Sequence, residues 1–174
     1  GDPKRTAQGI RYCINKKCDI INCSIAGPMD NELEDAINEA YSKGIIVVSA
    51  TGNDGRNMLL YPASYLNCIS VGSINKSLDI SPFSNYNVFM TMVAPGEDII
   101  FDINGEKIKD SGTSFSAPLV SGTLALLKEK LKEELGRKPE YSELYNELIK
   151  NCVIVNNIDR IKQGHGYLDF SAKA

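Results

Sequence analysis

The stretch Gly112-Thr113-Ser114-Phe115-Ser116-Ala117-Pro118, continuing into Leu119-Val120-Ser121-Gly122, constrains this chain more than any other. Small residues crowd one serine just where a long apolar-periodic helix begins. A serine so placed has its side chain at the positive end of the helix dipole, beside backbone N–H groups that lack intrahelical partners. That environment suits a nucleophile whose substrate develops an oxyanion. Thr113 or Ser114 could instead be a plain N-cap, a role Ser and Thr often fill. A cap, however, needs neither the small residues that follow nor a proline within the first turn or so.

The rest of the chain bounds what such a serine can be part of. At 174 residues it makes one domain, or the larger part of one, with a substantial core. A net charge of -3 gives no reason to expect nucleic acid or an anionic membrane as partner. No apolar run approaches the roughly eighteen residues a membrane span needs, so no membrane role is expected. The opening Gly1-Asp2-Pro3 gives no reason to expect a secretory leader. The five cysteines, Cys13, Cys18, Cys23, Cys68 and Cys152, form no C-x-x-C pair and no Cys/His cluster. Four of them fall in apolar-patterned segments, where free cysteine behaves as a small hydrophobe. A reducing, cytoplasmic compartment fits that pattern best.

Along the chain, helical and strand patterns alternate. Ile10, Cys13 and Ile14 recur at helical spacing within a segment from Thr6 to Lys17. A short strand, Asp19 to Ser24, runs to a turn at Gly27-Pro28. A second helix begins near Asp30 or Asn31 and stops at Gly44. Ile45 to Ala50 is continuously apolar rather than alternating, as buried parallel strands are. Cys68 to Ser73 and Phe89 to Ala94 supply two more strands, and Asn104-Gly105 marks a hairpin between Asp98–Ile103 and Glu106–Asp110. The serine helix runs from Ser114 to about Leu135, and another opens at Pro139-Glu140. This alternation implies an α/β fold with a mostly parallel sheet flanked by helices.

Two further strings acquire meaning beside Ser114. Ala50-Thr51-Gly52-Asn53 follows a buried strand and, read alone, is an ordinary Asn/Gly turn. Ser24-Ile25-Ala26-Gly27 ends another strand, where unpaired N–H and C=O groups can add an extended peptide.

Taken together, the Gly112–Gly122 string resembles the nucleophile motif of the subtilisin-like serine proteases, the subtilases, G-T-S-x-A/S-x-P-x-x-x-G. Asn22–Pro28, Ala50–Asn53, Tyr61-Pro62-Ala63, Phe83-Ser84, Ala94-Pro95-Gly96 and the tail Gly164–Asp169 match further family strings in the family's order. The resemblance implies a three-layer subtilisin-like fold and assigns residues 1–174 to the C-terminal portion of the peptidase domain, without that fold's N-terminal strands. It implies an acyl-enzyme serine endopeptidase with Ser114 as nucleophile and Asn53 as oxyanion donor. Peptide or protein substrate would lie along Ser24, Ile25, Ala26 and Gly27, with Ala50, Thr51 and Gly52 lining the pocket. Leu60 would lie near that pocket's floor and Asp54 near its rim, which suggests a shortened pocket mildly favourable to a basic residue.

One part of the family pattern is missing from this chain. There is no H-G-T-x-V-A-G string for the catalytic histidine and no D-x-G strand for the aspartate. His165 is the sole histidine, but it falls in the tail motif, where the family has a variable structural residue. A serine hydroxyl without a base is a poor nucleophile. The expected partner is therefore an N-terminal segment or chain that supplies Asp and His, and 1–174 alone is expected to be nearly inactive. The alternative is a truncated subtilase that binds peptide without turnover. No metal or cofactor is expected: the weak cation position of the family falls at Phe89 and Thr91, which carry no charge.

Overall fold

In the computed structural model, which describes residues 1–171, four parallel strands form one sheet in the order β1-β2-β3-β4. These are β1 (Ile20–Cys23), β2 (Ile46–Ala50), β3 (Cys68–Ile74) and β4 (Met92–Pro95). Helices α1 (Pro3–Asn15) and α2 (Asn31–Ser42) cover one face, and α3 (Thr113–Leu135) and α4 (Tyr141–Lys150) cover the other. The α/β, mostly parallel architecture expected from the alternation is therefore present.

Strand side chains explain the layering. In β2, Ile46, Val48 and Ala50 join Val120, Leu124, Leu127 and Leu148 in one cluster. Val47, between them, joins Ile10, Leu33, Ile37 and Cys68 in the other. This is the period-two alternation of a strand, with both faces buried, so the sequence reads as an unbroken apolar run. Leu124 is fully buried where α3 crosses the sheet. Leu124→Ala is expected to cost about 2–5 kcal/mol in a denaturant titration, because a close-packed core cannot collapse around the void.

Element boundaries differ from the sequence expectation where side chains replace backbone partners. Helix α1 starts at Pro3 rather than Thr6, because Asp2 accepts from Lys4 N and Arg5 N and caps it, with proline at the start. Strand β4 starts at Met92 rather than Phe89. Asn87 Oδ1 accepts from Phe89 N at 2.8 Å, which turns the preceding residues out of strand geometry.

The hairpin β5 (Ile99–Ile103) and β6 (Glu106–Asp110) forms as expected, with Asn104 and Gly105 both at positive φ. Beyond α4, the short strands β7 (Cys152–Val153) and β8 (Tyr167–Leu168) pair antiparallel around α5 (Arg160–Gln163). Among the described residues no helix is long and apolar enough to cross a membrane.

Two surfaces are left without a covering layer. β1 is an edge strand, paired on one side by β2 only. On α3, Pro118, Leu119, Gly122, Ala125 and Leu126 form an exposed stripe of small and apolar residues at helical spacing, with Leu126 76% exposed.

Candidate active site

The C-terminal ends of β1, β2 and β4 converge on the N-terminus of α3, the end of a parallel sheet at which α/β proteins bind ligands. Gly112 N donates to Gly96 O at 2.7 Å, and Ser116 Oγ donates to Ala94 O at 3.0 Å, which fixes the start of α3 to β4. A Cβ on Gly96 would run into Ser116 Oγ, Ser73 Oγ and the Gly112 carbonyl, so only glycine admits this approach.

Thr113 joins α3 to the loop after β2. Its Oγ1 accepts from Gly52 N at 3.2 Å and donates to Asn53 Oδ1 at 2.8 Å; its N–H donates to the same Oδ1 at 2.9 Å. Two donors on one atom identify it as the amide oxygen, so the orientation of Asn53 follows from the network. Asn53 Nδ2 is thereby turned toward Gly112, where a Cβ would lie 3.2 Å from it. Among the described residues neither Asn53 Nδ2 nor Ser114 N–H has a hydrogen-bond partner. Both are donors at a helix N-terminus, the arrangement that stabilises an oxyanion.

Pro118 explains how β1 is tied to this point. A proline inside a helix cannot donate to the carbonyl four residues back, here Ser114 O. Ser24 Oγ donates to that carbonyl instead, at 2.9 Å, and Asn22 Nδ2 donates to Ser24 Oγ at 3.0 Å. Ser121 Oγ reaches Asn22 Oδ1 at 3.1 Å and adds a second link. Ser24, just beyond the end of β1, is thus tied to the backbone of Ser114 itself.

The proposed peptide-binding residues divide by backbone availability. Gly27 N and O both pair with Tyr61, at 3.0 Å each, so Gly27 closes the segment rather than offering its backbone. Ala26 O accepts from Gly1 N at 2.8 Å. Ile25 is 41% exposed and stands at the open side. On the facing wall Ala50, Thr51 and Gly52 are buried, and Gly52 sits at φ +98. A Cβ there would come within 2.7 Å of both Asn85 Nδ2 and Leu60 Cδ1, so Leu60 packs against this wall. Asp54 is exposed, and its Oδ2 accepts from Asn85 Nδ2 at 2.9 Å.

His165 lies elsewhere. It lines a cavity of about 380 Å³ with Tyr41, Tyr141, Phe89 and Thr91, at the N-terminal ends of β3 and β4. The seven residues of β3 put roughly 20 Å between the two ends of the sheet. Burial and then Arg160 lower the pKa of His165, and its backbone N–H donates to Thr91 O at 2.8 Å. It cannot serve Ser114 as a base. Phe89 and Thr91 line this same aromatic cavity, and among the described residues no group of three or more His, Cys, Asp or Glu side chains could hold a metal.

Sequence reasoning missed the Ser24–Ser114 link and the role of Thr113 as organiser. The only local signal for the first was the proline four residues after Ser114.

Residues 1–166 match the profile of the Subtilase family, and the chain belongs to that family. It is 40% identical over 171 residues to the Major intracellular serine protease of Bacillus subtilis (strain 168), covering 94% of this chain and 53% of that protein. It is 41% identical over 172 residues to the Intracellular serine protease of Paenibacillus polymyxa, covering 95% of this chain and 52% of that one. The chain thus spans about half the length of these relatives. Among solved structures, the prenylagaramide maturation protease PagA superposes with a TM-score of 0.88 at 32% identity, over 97% of this chain and 65% of that one.

Proposed function

We propose that this chain carries the nucleophile, oxyanion site and peptide-binding edge of a serine endopeptidase whose aspartate and histidine come from a preceding segment. The observation that carries the reading is the pair of unpartnered donors, Asn53 Nδ2, oriented by Thr113, and Ser114 N–H, both beside Gly112.

A peptide would lie extended along Ser24–Ala26, beyond the C-terminal end of β1, its side chain entering the space walled by Ala50–Gly52. Ser114 Oγ would attack the scissile carbonyl and give its proton to the histidine of the preceding segment. The carbonyl oxygen would gain negative charge between Asn53 Nδ2 and Ser114 N–H, and the amine would leave to give an acyl-enzyme. Water then repeats the attack and frees Ser114.

The uncovered surfaces support a preceding segment within the same domain. The free edge of β1 can accept another parallel strand, and the small and apolar stripe around Leu119 and Leu126 on α3 can be buried by it. Relatives about twice as long as this chain are consistent with that arrangement.

The test is turnover of a chromogenic peptide by residues 1–174 alone and by the complete protein. The 174-residue chain is expected to show rates near background, and the complete protein Ser114-dependent cleavage. Robust Ser114-dependent turnover by the isolated chain would refute the need for an external base.

A further inference from the structure

We propose that Cys13 and Cys18 form a redox-active dithiol, an oxidative-modification site at the turn that feeds the peptide-binding strand. The geometry comes from how α1 ends. Cys18 N donates to Cys13 O at 3.1 Å, Lys17 N donates to Ile14 O at 2.9 Å, and Lys17 sits at φ 59. These are the two reverse hydrogen bonds and the left-handed residue of a Schellman motif, with Cys13 at C3 and Cys18 at C″. A side-chain contact between these two positions frequently accompanies that motif. The chain therefore puts cysteines at both of these positions, five residues apart, where a hydrophobic pair is usual.

The thiols also sense each other. Burial, the charge of Cys18 and a hydrogen bond with it, in that order, raise the pKa of the Cys13 thiol. Both are free and only partly buried, so a small oxidant can reach them. Deeper in, Cys23 and Cys68 are buried; burial pushes Cys23 up to about 12 and raises Cys68 well above its usual range. Cys152 is raised to about 11 by burial and belongs to the far side of the sheet. Thiolate, the reactive form, is thus scarce at the inner sites.

The oxidant is hydrogen peroxide. One thiolate attacks a peroxide oxygen, the O–O bond breaks and hydroxide leaves, giving a sulfenic acid. The second thiol attacks the sulfenic sulfur, forming the S–S bond and releasing water. Overall the two thiols lose two protons and two electrons, and one peroxide becomes two waters. The disulfide spans the left-handed Lys17 and locks the end of α1 just before β1, whose far end carries Ser24–Ala26.

The site is tested on the complete protein, treated with stoichiometric hydrogen peroxide and digested with trypsin without reductant. Cleavage after Lys16 and Lys17 separates the two cysteines unless a disulfide joins them. The expected product is the Tyr12–Lys16 peptide linked to the peptide beginning at Cys18, two hydrogens lighter than their sum and separated by dithiothreitol. That second peptide also holds Cys23, so fragment ions must place the bridge on Cys18. Cys13→Ser and Cys18→Ser are each expected to abolish the link, and Cys152→Ser to keep it. A bridge to Cys23, a link that survives in Cys18→Ser, or oxidation of both residues to unlinked sulfinic acids overturns the proposal.

Discussion

Ser114→Ala in the complete protein is expected to lower peptide turnover about 10⁶-fold while leaving peptide affinity within a few-fold; the magnitude is that of subtilisin, a member of this family, and is carried over from it. The asymmetry follows from where the hydroxyl sits. Ser114 Oγ makes no hydrogen bond to any described residue, so its loss leaves no protein group unpaired. Its carbonyl keeps Ser24, its N–H remains an oxyanion donor, and the edge at Ile25 is untouched. Only the acyl-enzyme pathway is lost, leaving the smaller acceleration that binding and the oxyanion donors give alone. A mutant with near wild-type cleavage, measured by steady-state kinetics on one peptide, would remove Ser114 from the mechanism.

Asn53→Asp is expected to lower kcat by at least about 10²–10³-fold with little change in KM, a scale also taken from the corresponding asparagine of subtilisin. The substitution keeps an oxygen where Thr113 N and Oγ1 donate and replaces the Nδ2 donor with a second oxygen. That oxygen would repel the developing oxyanion instead of binding it. Asn53→Leu removes both functions. It leaves the buried Thr113 N–H and hydroxyl without their acceptor, which adds a stability loss of about 1–3 kcal/mol. Comparing the two by kinetics and by denaturant titration separates the donor from the organiser. An Asp variant with wild-type kcat would contradict the oxyanion assignment.

The residues around Ser114 were legible because each is fixed by a local need. Gly52 occupies a positive φ against Leu60 and Asn85, Gly96 lies too close to Ser116 for any side chain, and Pro118 inside α3 frees the Ser114 carbonyl. Such demands narrow residue choice at single positions, and so leave strings. The parallel sheet was legible because β2 and β3 are buried on both faces.

What was not legible depends on partners far along the chain. The Ser24–Ser114 bond spans 90 positions, and the Gly27–Tyr61 pairing that closes the binding segment also joins distant residues. β7 and β8, at two residues each, are too short to show alternation. The Schellman pairing of Cys13 and Cys18 straddles a helix end, where neither helical nor strand periodicity applies. The start of α1 was missed for a simpler reason: Asp2-Pro3 signals a cap, but apolar periodicity begins only later.

The most direct measurement is covalent labelling of Ser114 by a fluorophosphonate, which reports an activated serine without requiring a known substrate. In the complete protein the label is expected on Ser114, located by peptide mass mapping, and absent from Ser114→Ala. In residues 1–174 alone, with His165 at the opposite end of the sheet, labelling is expected to be slower by about 10³-fold or more, the scale of losing a triad member. Labelling of the isolated chain at the rate of the complete protein, or of the complete protein at a serine other than Ser114, would contradict this account.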